Sequence, residues 1–470
     1  MELPDLFVKR MYELLDKGAD EVLAALEQAP VVSLRLNPLK CRMITDCSCS
    51  NGLGLPLDAV PWATYGYYLE GRRPFTFDPL FHAGCYYVQE ASSMFLEQVM
   101  RQYVSEPVKV LDLCAAPGGK STILRSALPE GSLLVSNELI PTRAQVLVEN
   151  IVKWGHPDCV VSSSTPADFG ALPSFFDVIV ADVPCSGEGM FRKDLVAVAE
   201  WSEANVETCW RRSRGIIADC WNALKKGGLL VFSTCTFNSL EDEENVRWIC
   251  EELGAEVLPL KTTPEWGITG NLLPDSSFPV YRFLPGRTKG EGFFLAVLRK
   301  TSDSNFTAVR KPKFRLSQKS QPVPQSCKDW LYGADSFVWK VDNNTINAVP
   351  KCHEDALSML EQQVHVLYGG VNVAELKGRD IVPTPSLALS GLFCHEAFPC
   401  VEVSYKDALA FLRKESLTLP ADTPRGFVVL SFRGIPLGFV KNLGHRANNL
   451  YPPEWRIRTT HLPEGEIKVI

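Results

Sequence analysis

"VLDLCAAPGGKST", residues 110–122, runs from an apolar segment into Asp112. It then crosses two alanines, a proline and two glycines to reach Lys120 and the helical "STILRSAL". A strand that hands over to a helix N-terminus through a tight Gly-rich turn is how an open α/β sheet builds a nucleotide-type site. Glycines let a ligand approach backbone N–H groups, and the helix start favours negative charge. The turn is not G-x-G-x-x-G, and G-x-x-x-x-G-K-[ST] is absent from the chain. A dinucleotide enzyme and a phosphate-cradling NTPase are therefore disfavoured. "LLVSNEL", residues 133–139, places Glu138 roughly 20 residues past the turn, where a carboxylate binds ribose hydroxyls. The ligand is then adenosine-like and need not carry phosphate, and S-adenosylmethionine fits. The competing interpretation is a plain glycine turn with Glu138 as a solvated strand end.

The surroundings repeat a βα rhythm. "VKVLDLC", "LLVSNEL", "CVVSSS", "FDVIVADV", "GLLVFST" and "EGFFLAVLRK" are apolar runs, several of them near-continuous, as expected of parallel strands covered on both faces. Helical stretches separate the first five. The longest spans residues 201–228, with the double glycine Gly227-Gly228 as its stop signal. Upstream, "VVSLRLNPLK" (residues 31–40) alternates like an edge strand. Residues 301–324 are polar, with Pro and Lys, and read as a linker. Short strand-like runs follow, suggesting small β-rich modules. The sequence places the whole catalytic sheet before residue 301, so a chain ending near residue 320 is expected to retain it.

Two cysteines fall at strand ends. "FDVIVADVPCSGEGMFRKD" puts Asp182, Pro184 and Cys185 after the fourth strand, and "GGLLVFSTCTFNSLEDEENV" puts Cys235 after the fifth. Ligand chemistry in such a sheet sits beyond the carboxyl ends of the strands. A single such thiol reads as inert core, but two at neighbouring strand ends favour chemistry. Cytosine C5 is a poor nucleophile. A thiolate adding to C6 makes C5 enamine-like and able to accept a methyl group, which divides one hard step into easier ones. An acid near N3 must stabilise the charge, and Asp182 is placed to do so. The N-P-P-Y-like run of amino-group methylation is absent after the fourth strand, and "YPPE" (residues 451–454) lies far away. A protein methyltransferase needs no thiol adduct.

Composition bounds the partners. Hydrophobic residues make up 46% and charged residues 22% of 470, so the chain is folded, with two to four domains. No apolar run is long enough to span a bilayer, and "MELPDLFVKRMYELL" is a short amphipathic helix rather than a signal core. A soluble, cytoplasmic protein with no membrane partner is expected. The 15 cysteines are scattered and read as thiols. Cys41, Cys47 and Cys49 lack a matching CxxC or His pair, so no metal site is expected. A net charge of −7 does not announce a nucleic-acid binder, although residues 299–320 are locally basic. Arg310, Lys311, Lys313 and Arg315 in that stretch are possible RNA contacts. Arg192 and Lys193, fixed beside the catalytic loop, are better phosphate candidates.

"LDLCAAPGGK", "DVPCSGEGMFRKD" and "STCTF" resemble the signature motifs of the Sun/Nop/RsmB/RsmF family of RNA cytosine-5 methyltransferases. "SLRLNPLK" and "FHAGCYYVQEASSMFLEQ" (residues 81–98) extend the likeness upstream. The extended "PCSGEGMFRKD" and the tail "GIPLGFVKNLGHRANNLYPPEWR" narrow it to RsmF-like bacterial enzymes acting on 16S ribosomal RNA of the small subunit. The resemblance implies a class I S-adenosylmethionine-dependent methyltransferase, with a Rossmann-like seven-stranded sheet. Its domains would be a small N-terminal α/β domain (1–100), the catalytic domain (101–300), a basic linker (301–325), a first C-terminal domain (326–393) and a PUA-like RNA-binding domain (394–470). It implies that Cys114, Ala115, Ala116, Pro117, Gly118, Gly119, Lys120, Glu138 and Arg143 line the cofactor site, with Asp182 at its substrate edge. It implies Cys235 as nucleophile and Cys185 as the residue that resolves the adduct. The adenine contact falls to Ser164 or Asp168, because the family's usual Asp or Asn is not in place. The family's Glu-Asn-Glu reads Glu241-Asp242-Glu243, its Arg-Gln on the long helix reads "RRSR", and a tail lysine reads Asn448. A monomer acting on ribosomal RNA is expected. The rivals are a non-catalytic ribosome-assembly factor and an enzyme acting on transfer RNA.

Overall fold

Seven strands form the central sheet, in the order β3–β2–β1–β4–β5–β8–β6. These are β1 (Lys109–Asp112), β2 (Leu133–Asn137), β3 (Cys159–Ser162), β4 (Phe176–Asp182), β5 (Leu224–Thr234), β6 (Ala255–Leu258) and β8 (Phe293–Lys300). β1 to β5 are mutually parallel; β8 and β6 run antiparallel at one side. The short β7 (Tyr281–Phe283) adds to β8. The computed structural model describes residues 3–44, 58–302, 322–459 and 461–470. Cys47, Cys49, Arg310, Lys311, Lys313 and Arg315 lie outside the described residues. This is a doubly wound α/β sheet, with the parallel strands that the apolar runs imply. Every residue of β2 is buried, and apolar clusters fill both faces of the sheet. A strand covered on both sides gains roughly 1.5–3 kcal/mol per fully buried Leu, Val or Ile, whichever face it points to.

The sheet does not end within the catalytic segment. β9 (Val366–Gly369), from the C-terminal part of the chain, pairs antiparallel with β3. Ser163 N–H donates to the His365 carbonyl (2.9 Å) and Gly370 N–H to that of Cys159 (3.1 Å). His353 Nε2 lies 3.2 Å from Asp158 just before β3. An apolar edge strand with unpaired N–H and C=O groups invites wrong pairing, and β9 covers it. A chain ending near residue 320 would therefore lack an edge of the sheet, contrary to the sequence expectation. No periodicity in "VHVLYGG" distinguishes a strand of its own module from one donated elsewhere.

Two local expectations are corrected. The strand Val32–Leu36 is central rather than an edge, flanked by Gly66–Leu69 and Tyr86–Val88 in a four-stranded antiparallel sheet. Its alternate polar residues are buried and bonded: the Ser33 hydroxyl donates to the Gln89 carbonyl (2.5 Å), and Arg35 reaches the catalytic domain. Arg35 donates to Gln89 Oε1 and to the Thr122 hydroxyl, and lies 4.5 Å from the Trp154 ring. The long helix runs Glu203–Cys220 and stops before the double glycine. Gly227 and Gly228 instead lie in the first half of β5, where Gly227 takes φ 77° and the register with β4 shifts. A short 3₁₀ turn, Trp221–Ala223, already ends the helix.

The N-terminal module also caps the helix behind the cofactor turn, α2 (Pro141–Trp154), with α1 (Gly119–Ala127) preceding it. Asn37 Nδ2 donates to the Trp154 carbonyl (2.9 Å) and Lys40 Nζ to that of Lys153 (2.5 Å). These last-turn carbonyls have no partner inside a helix. The strand runs after residue 322 build two further four-stranded sheets. One apolar cluster joins them, with Phe337 and Val373 meeting Val429 and Phe439. Another joins the last module to the first, where Leu34, Leu80 and Tyr86 pack with Phe411, Leu437 and Tyr451. In the tail, Tyr451 is buried against Phe411 and Trp455.

Candidate active site

The turn after β1 places Gly118 at φ 116° as the residue before α1, a conformation that favours glycine. A Cβ on Gly119 would meet Tyr87 at 3.3 Å, so a side chain there strikes the N-terminal module as well as the approach to the turn. The first N–H groups of α1 have no acceptor inside the helix. The carbonyls of the turn are held from α2: Arg143 donates to Ala116 (3.0 Å) and Asn150 to Pro117 (2.8 Å). Asn137, which the sequence reading passed over, ties three strand ends. Its Nδ2 donates to the carbonyls of Leu113 (3.1 Å) and Ser164 (3.0 Å), and its Oδ1 accepts from the Ser162 hydroxyl and the Ser164 N–H, both at 3.0 Å.

Glu138 is 5% exposed, so it is not a solvated strand end. One carboxylate oxygen accepts from the Ile140 N–H (2.9 Å); the other lies 3.5 Å from Arg143. Immediately beyond it, Leu139 and Ile140 are 55% and 47% exposed. Two large apolar side chains in water beside a buried carboxylate form an amphipathic edge. Ser164 and Asp168 both sit past β3 and are buried. The Ser164 hydroxyl accepts from the His365 N–H (2.8 Å), and Asp168 caps its own short helix by accepting from the Thr165 N–H (3.1 Å). Asp112 is buried and accepts from Ser121 (2.6 Å); burial pushes its carboxyl up to about 7, with Asp182 and Glu138 adding to the rise. Burial likewise raises the Cys114 thiol.

Asp182, at the end of β4, has both oxygens engaged. Lys120 Nζ lies 2.8 Å from Oδ2, and the Ser233 hydroxyl donates to Oδ1 at 2.8 Å. Burial opposes the Lys120 charge, but Asp182, Cys235 and Asp112 outweigh it and raise its pKa. Lys120 thus couples the turn to the thiols.

Cys185 Sγ and Cys235 Sγ are 3.2 Å apart, and the Cys235 N–H donates to Cys185 Sγ at 3.3 Å. Both thiols are free and partly open to the surface. The hydrogen bond shared with Cys235, then burial, then the charges of Cys235 and Glu241 hold the Cys185 thiol well above its ordinary range. Behind them stand carboxylates that the sequence reading did not single out as functional. Glu188 accepts from Phe237 N–H (2.8 Å), Asn238 N–H (3.1 Å) and the Thr236 hydroxyl (2.6 Å). Asp242 and Glu243 pair with Arg282, all three fully enclosed. Arg192, expected to face phosphate, is instead buried against Glu291 and donates to the Gly290 carbonyl (2.7 Å). Lys193 keeps 26% of its side chain exposed, 3.4 Å from the same Glu291.

Three family models match this arrangement. The N-terminal domain of 16S rRNA methyltransferase RsmF matches residues 3–91, 16S rRNA methyltransferase RsmB/F residues 102–299, and the methyltransferase RsmF PUA domain residues 398–457. The chain belongs to the RsmB/F methyltransferase family. Proteins named ribosomal RNA small subunit methyltransferase F are similar over nearly the whole length. That of Klebsiella pneumoniae is 28% identical and that of Shigella dysenteriae 29%, each alignment covering 96% of both chains. A methyltransferase homologue from Pyrococcus horikoshii superposes with a TM-score of 0.54 at 28% identity, over 63% of this chain and 95% of that one. NSun6 from the same organism gives 0.53 at 19% identity over 64% and 99%, which speaks to the fold alone. This RsmB/F methyltransferase uses S-adenosylmethionine. Its residues fit that group: a Cβ-free turn at Gly118, open N–H groups at the α1 start, and the enclosed carboxylate of Glu138 beside an apolar edge. Among the described residues no cluster of three or more His, Cys, Asp or Glu could hold a metal ion, and no helix is long and apolar enough to cross a membrane.

Proposed function

We propose that this methyltransferase modifies C5 of a cytosine in 16S ribosomal RNA of the small subunit, through a covalent bond between Cys235 and C6 of the base. The observation that carries it is the pair of thiols 3.2 Å apart at the ends of adjacent strands, beside the Lys120–Asp182 pair. Methylation of an amine or amide needs neither thiol. The names of the family models and relatives support the RNA class.

Cys235 attacks first. Its sulfur bonds to C6, the C5–C6 π pair moves toward C5, and charge builds on the N3 side of the ring. Asp182 alone would oppose negative charge there; the Lys120 ammonium bound to it removes that opposition and supplies the positive charge that faces the build-up. S-adenosylmethionine supplies an electrophilic methyl group for C5. Once Cys235 is a thioether, it no longer shares a hydrogen bond or charge with Cys185, and the largest cause of that thiol's raised pKa disappears. Cys185 can then give its proton to solvent, and the thiolate, steadied by the Cys235 N–H, takes the C5 proton. The C5–H electron pair re-forms C5=C6 and expels Cys235 as thiolate, so the enzyme needs no added base.

Cys114 to Lys120, Glu138 and Arg143 would hold the cofactor, with Leu139 and Ile140 as an apolar wall for adenine. The Ser164 hydroxyl is already engaged by His365, which favours the backbone of that loop or Asp168 as the polar adenine contact. The target base must leave its stack, at about a few kcal/mol. Lys193 and the C-terminal modules, within the working divisions 301–325, 326–393 and 394–470, would position the RNA. The enzyme would act as a cytoplasmic monomer.

The test uses ribosomal RNA carrying 5-fluorocytosine, which cannot lose a C5 proton. With S-adenosylmethionine it should trap a protein–RNA conjugate on a denaturing gel, and bisulfite sequencing should place 5-methylcytosine in 16S RNA. Modification of transfer RNA instead would redirect the substrate. Absence of both conjugate and methylation would favour a non-catalytic assembly factor.

A further inference from the structure

Two buried carboxylates cross between the thiol-bearing loops in opposite senses. Glu188 belongs to the Cys185 loop, yet it accepts from the loop after Cys235: Thr236, Phe237 and Asn238. Glu241 follows Cys235, yet it accepts from the Cys185 loop, through the Ser186 N–H (2.9 Å) and hydroxyl. Asn238 lies between them, donating to Glu188 Oε1 (3.1 Å) and Glu241 Oε1 (2.8 Å). Gly189 N–H donates to the Cys235 carbonyl (2.9 Å), and a Cβ on Gly189 would come 2.9 Å from that oxygen. Each loop is therefore anchored by the other's carboxylate, at 2% exposure for Glu188 and 1% for Glu241. Holding two such groups away from water is costly unless their bonds are complete, which ordinary loop packing would not require.

We infer that Glu188 and Glu241 form a reciprocal clasp of positioning residues with divided roles. Glu188 fixes the spacing of the two sulfurs, and the charge of Glu241 holds the proton on Cys185 until Cys235 has reacted. The inference rests on the two-thiol chemistry above for its purpose but not for its measurement. Glu241 anchors the residue next to Cys185, and its negative charge disfavours a second anion there. Glu188 bonds instead to residues 236–238, beside Cys235. The ionisable groups around Glu241 are Glu188 on the 3₁₀ turn, Cys185 and Cys235 at the strand ends, Cys209 on the long helix and Asp242 beside it. Arg212 acts on Cys209, and Lys120 acts on Cys235. Burial first, with Glu188 adding, raises the Glu241 carboxyl to about 7 against the pull of its bonds to Ser186 and Asn238. Its charge thus changes near neutral pH.

Full-length protein without RNA, alkylated with iodoacetamide across pH and read by mass spectrometry at each cysteine, tests the division. At pH 7 Cys185 should alkylate about fivefold faster in Glu241→Gln than in wild type, equivalent to a shift of about 0.7 pH unit. Glu188→Gln should leave the Cys185 profile in place while lowering the rate of conjugate formation on fluorocytosine RNA. Equal Cys185 shifts in both variants would mean general loosening and would overturn the inference. Should Glu241→Gln fold poorly, the wild type answers instead. Glu241 ionising near pH 7 should flatten the rise of the Cys185 alkylation rate across that range, and a single unit slope would overturn the inference. Failure of wild type to form any RNA conjugate would count against the two-thiol chemistry, leaving the alkylation result to decide the clasp by itself.

Discussion

The carboxyl edge of the sheet carries two pockets made differently. At the ends of β1, β2 and β3, contiguous sequence does most of the work. The turn lies within residues 113–119, and one amide, Asn137, fastens three loops by four bonds to neighbouring strand ends. At the ends of β4 and β5, the sulfurs are 50 residues apart and are held by carboxylates exchanged between loops, with Arg282 from β7 paired to both Asp242 and Glu243. The first carries one enclosed carboxylate, Glu138, at the proposed cofactor site; the second encloses several carboxylates behind the two thiols of the proposed covalent chemistry. Binding requires a fixed shape, whereas covalent turnover also requires that ionisation occur in order.

The largest effect expected breaks the second pocket alone. Cys235→Ala should lower methylation by more than about 1,000-fold, abolish conjugate and leave cofactor affinity near wild type by calorimetry. Cys185→Ala should instead accumulate conjugate on ordinary cytosine RNA in denaturing gels. A conjugate that survives in Cys235→Ala and vanishes in Cys185→Ala would exchange their roles.

Ending the chain after residue 320 sharpens the comparison from the other side. It removes β9, which pairs with β3 beside the cofactor loops, and leaves β4 and β5 flanked as before. The shortened protein should lose cofactor affinity and melt earlier, and its β3 amides should exchange fastest by hydrogen-exchange mass spectrometry. Unchanged affinity would show that β9 only covers an edge.

Glu138→Ala addresses one contact in the first pocket. A charge-assisted bond of about 1.5–3 kcal/mol corresponds to roughly 10–150-fold in S-adenosylmethionine affinity, with thiol alkylation unaltered. Loss below twofold would remove Glu138 from the site.

The smallest effect concerns pH. Asp112, raised to about 7, binds its proton more tightly in the folded chain than at its ordinary value of 3.8. Its stabilising contribution is present below pH 3.8 and is lost as pH rises through 7. Asp112→Asn should therefore flatten the fall in Tm between pH 4 and 7. An unchanged slope would place the coupling on other groups, with Glu241 the first to examine.

By itself the sequence determined the parallel sheet, the cofactor turn with Glu138, and the two thiols at strand ends. Each is written in neighbouring residues: apolar runs long enough for strands, glycines where φ is positive, and reactive side chains immediately after a strand. It left the partners of charged residues open. "SGEGMFRKD" and "NSLEDEENV" look like solvated loops, because a carboxylate is normally exposed and nothing local says that another loop will enclose it. Tertiary structure decided that Glu188 and Glu241 cross, that Arg192 turns inward to Glu291, and that Arg35 is buried in a central strand. It also decided that β9 completes the sheet from beyond residue 322. These outcomes depend on contacts between segments far apart in the chain, whose pairing is selected by the burial and hydrogen bonding of the whole fold.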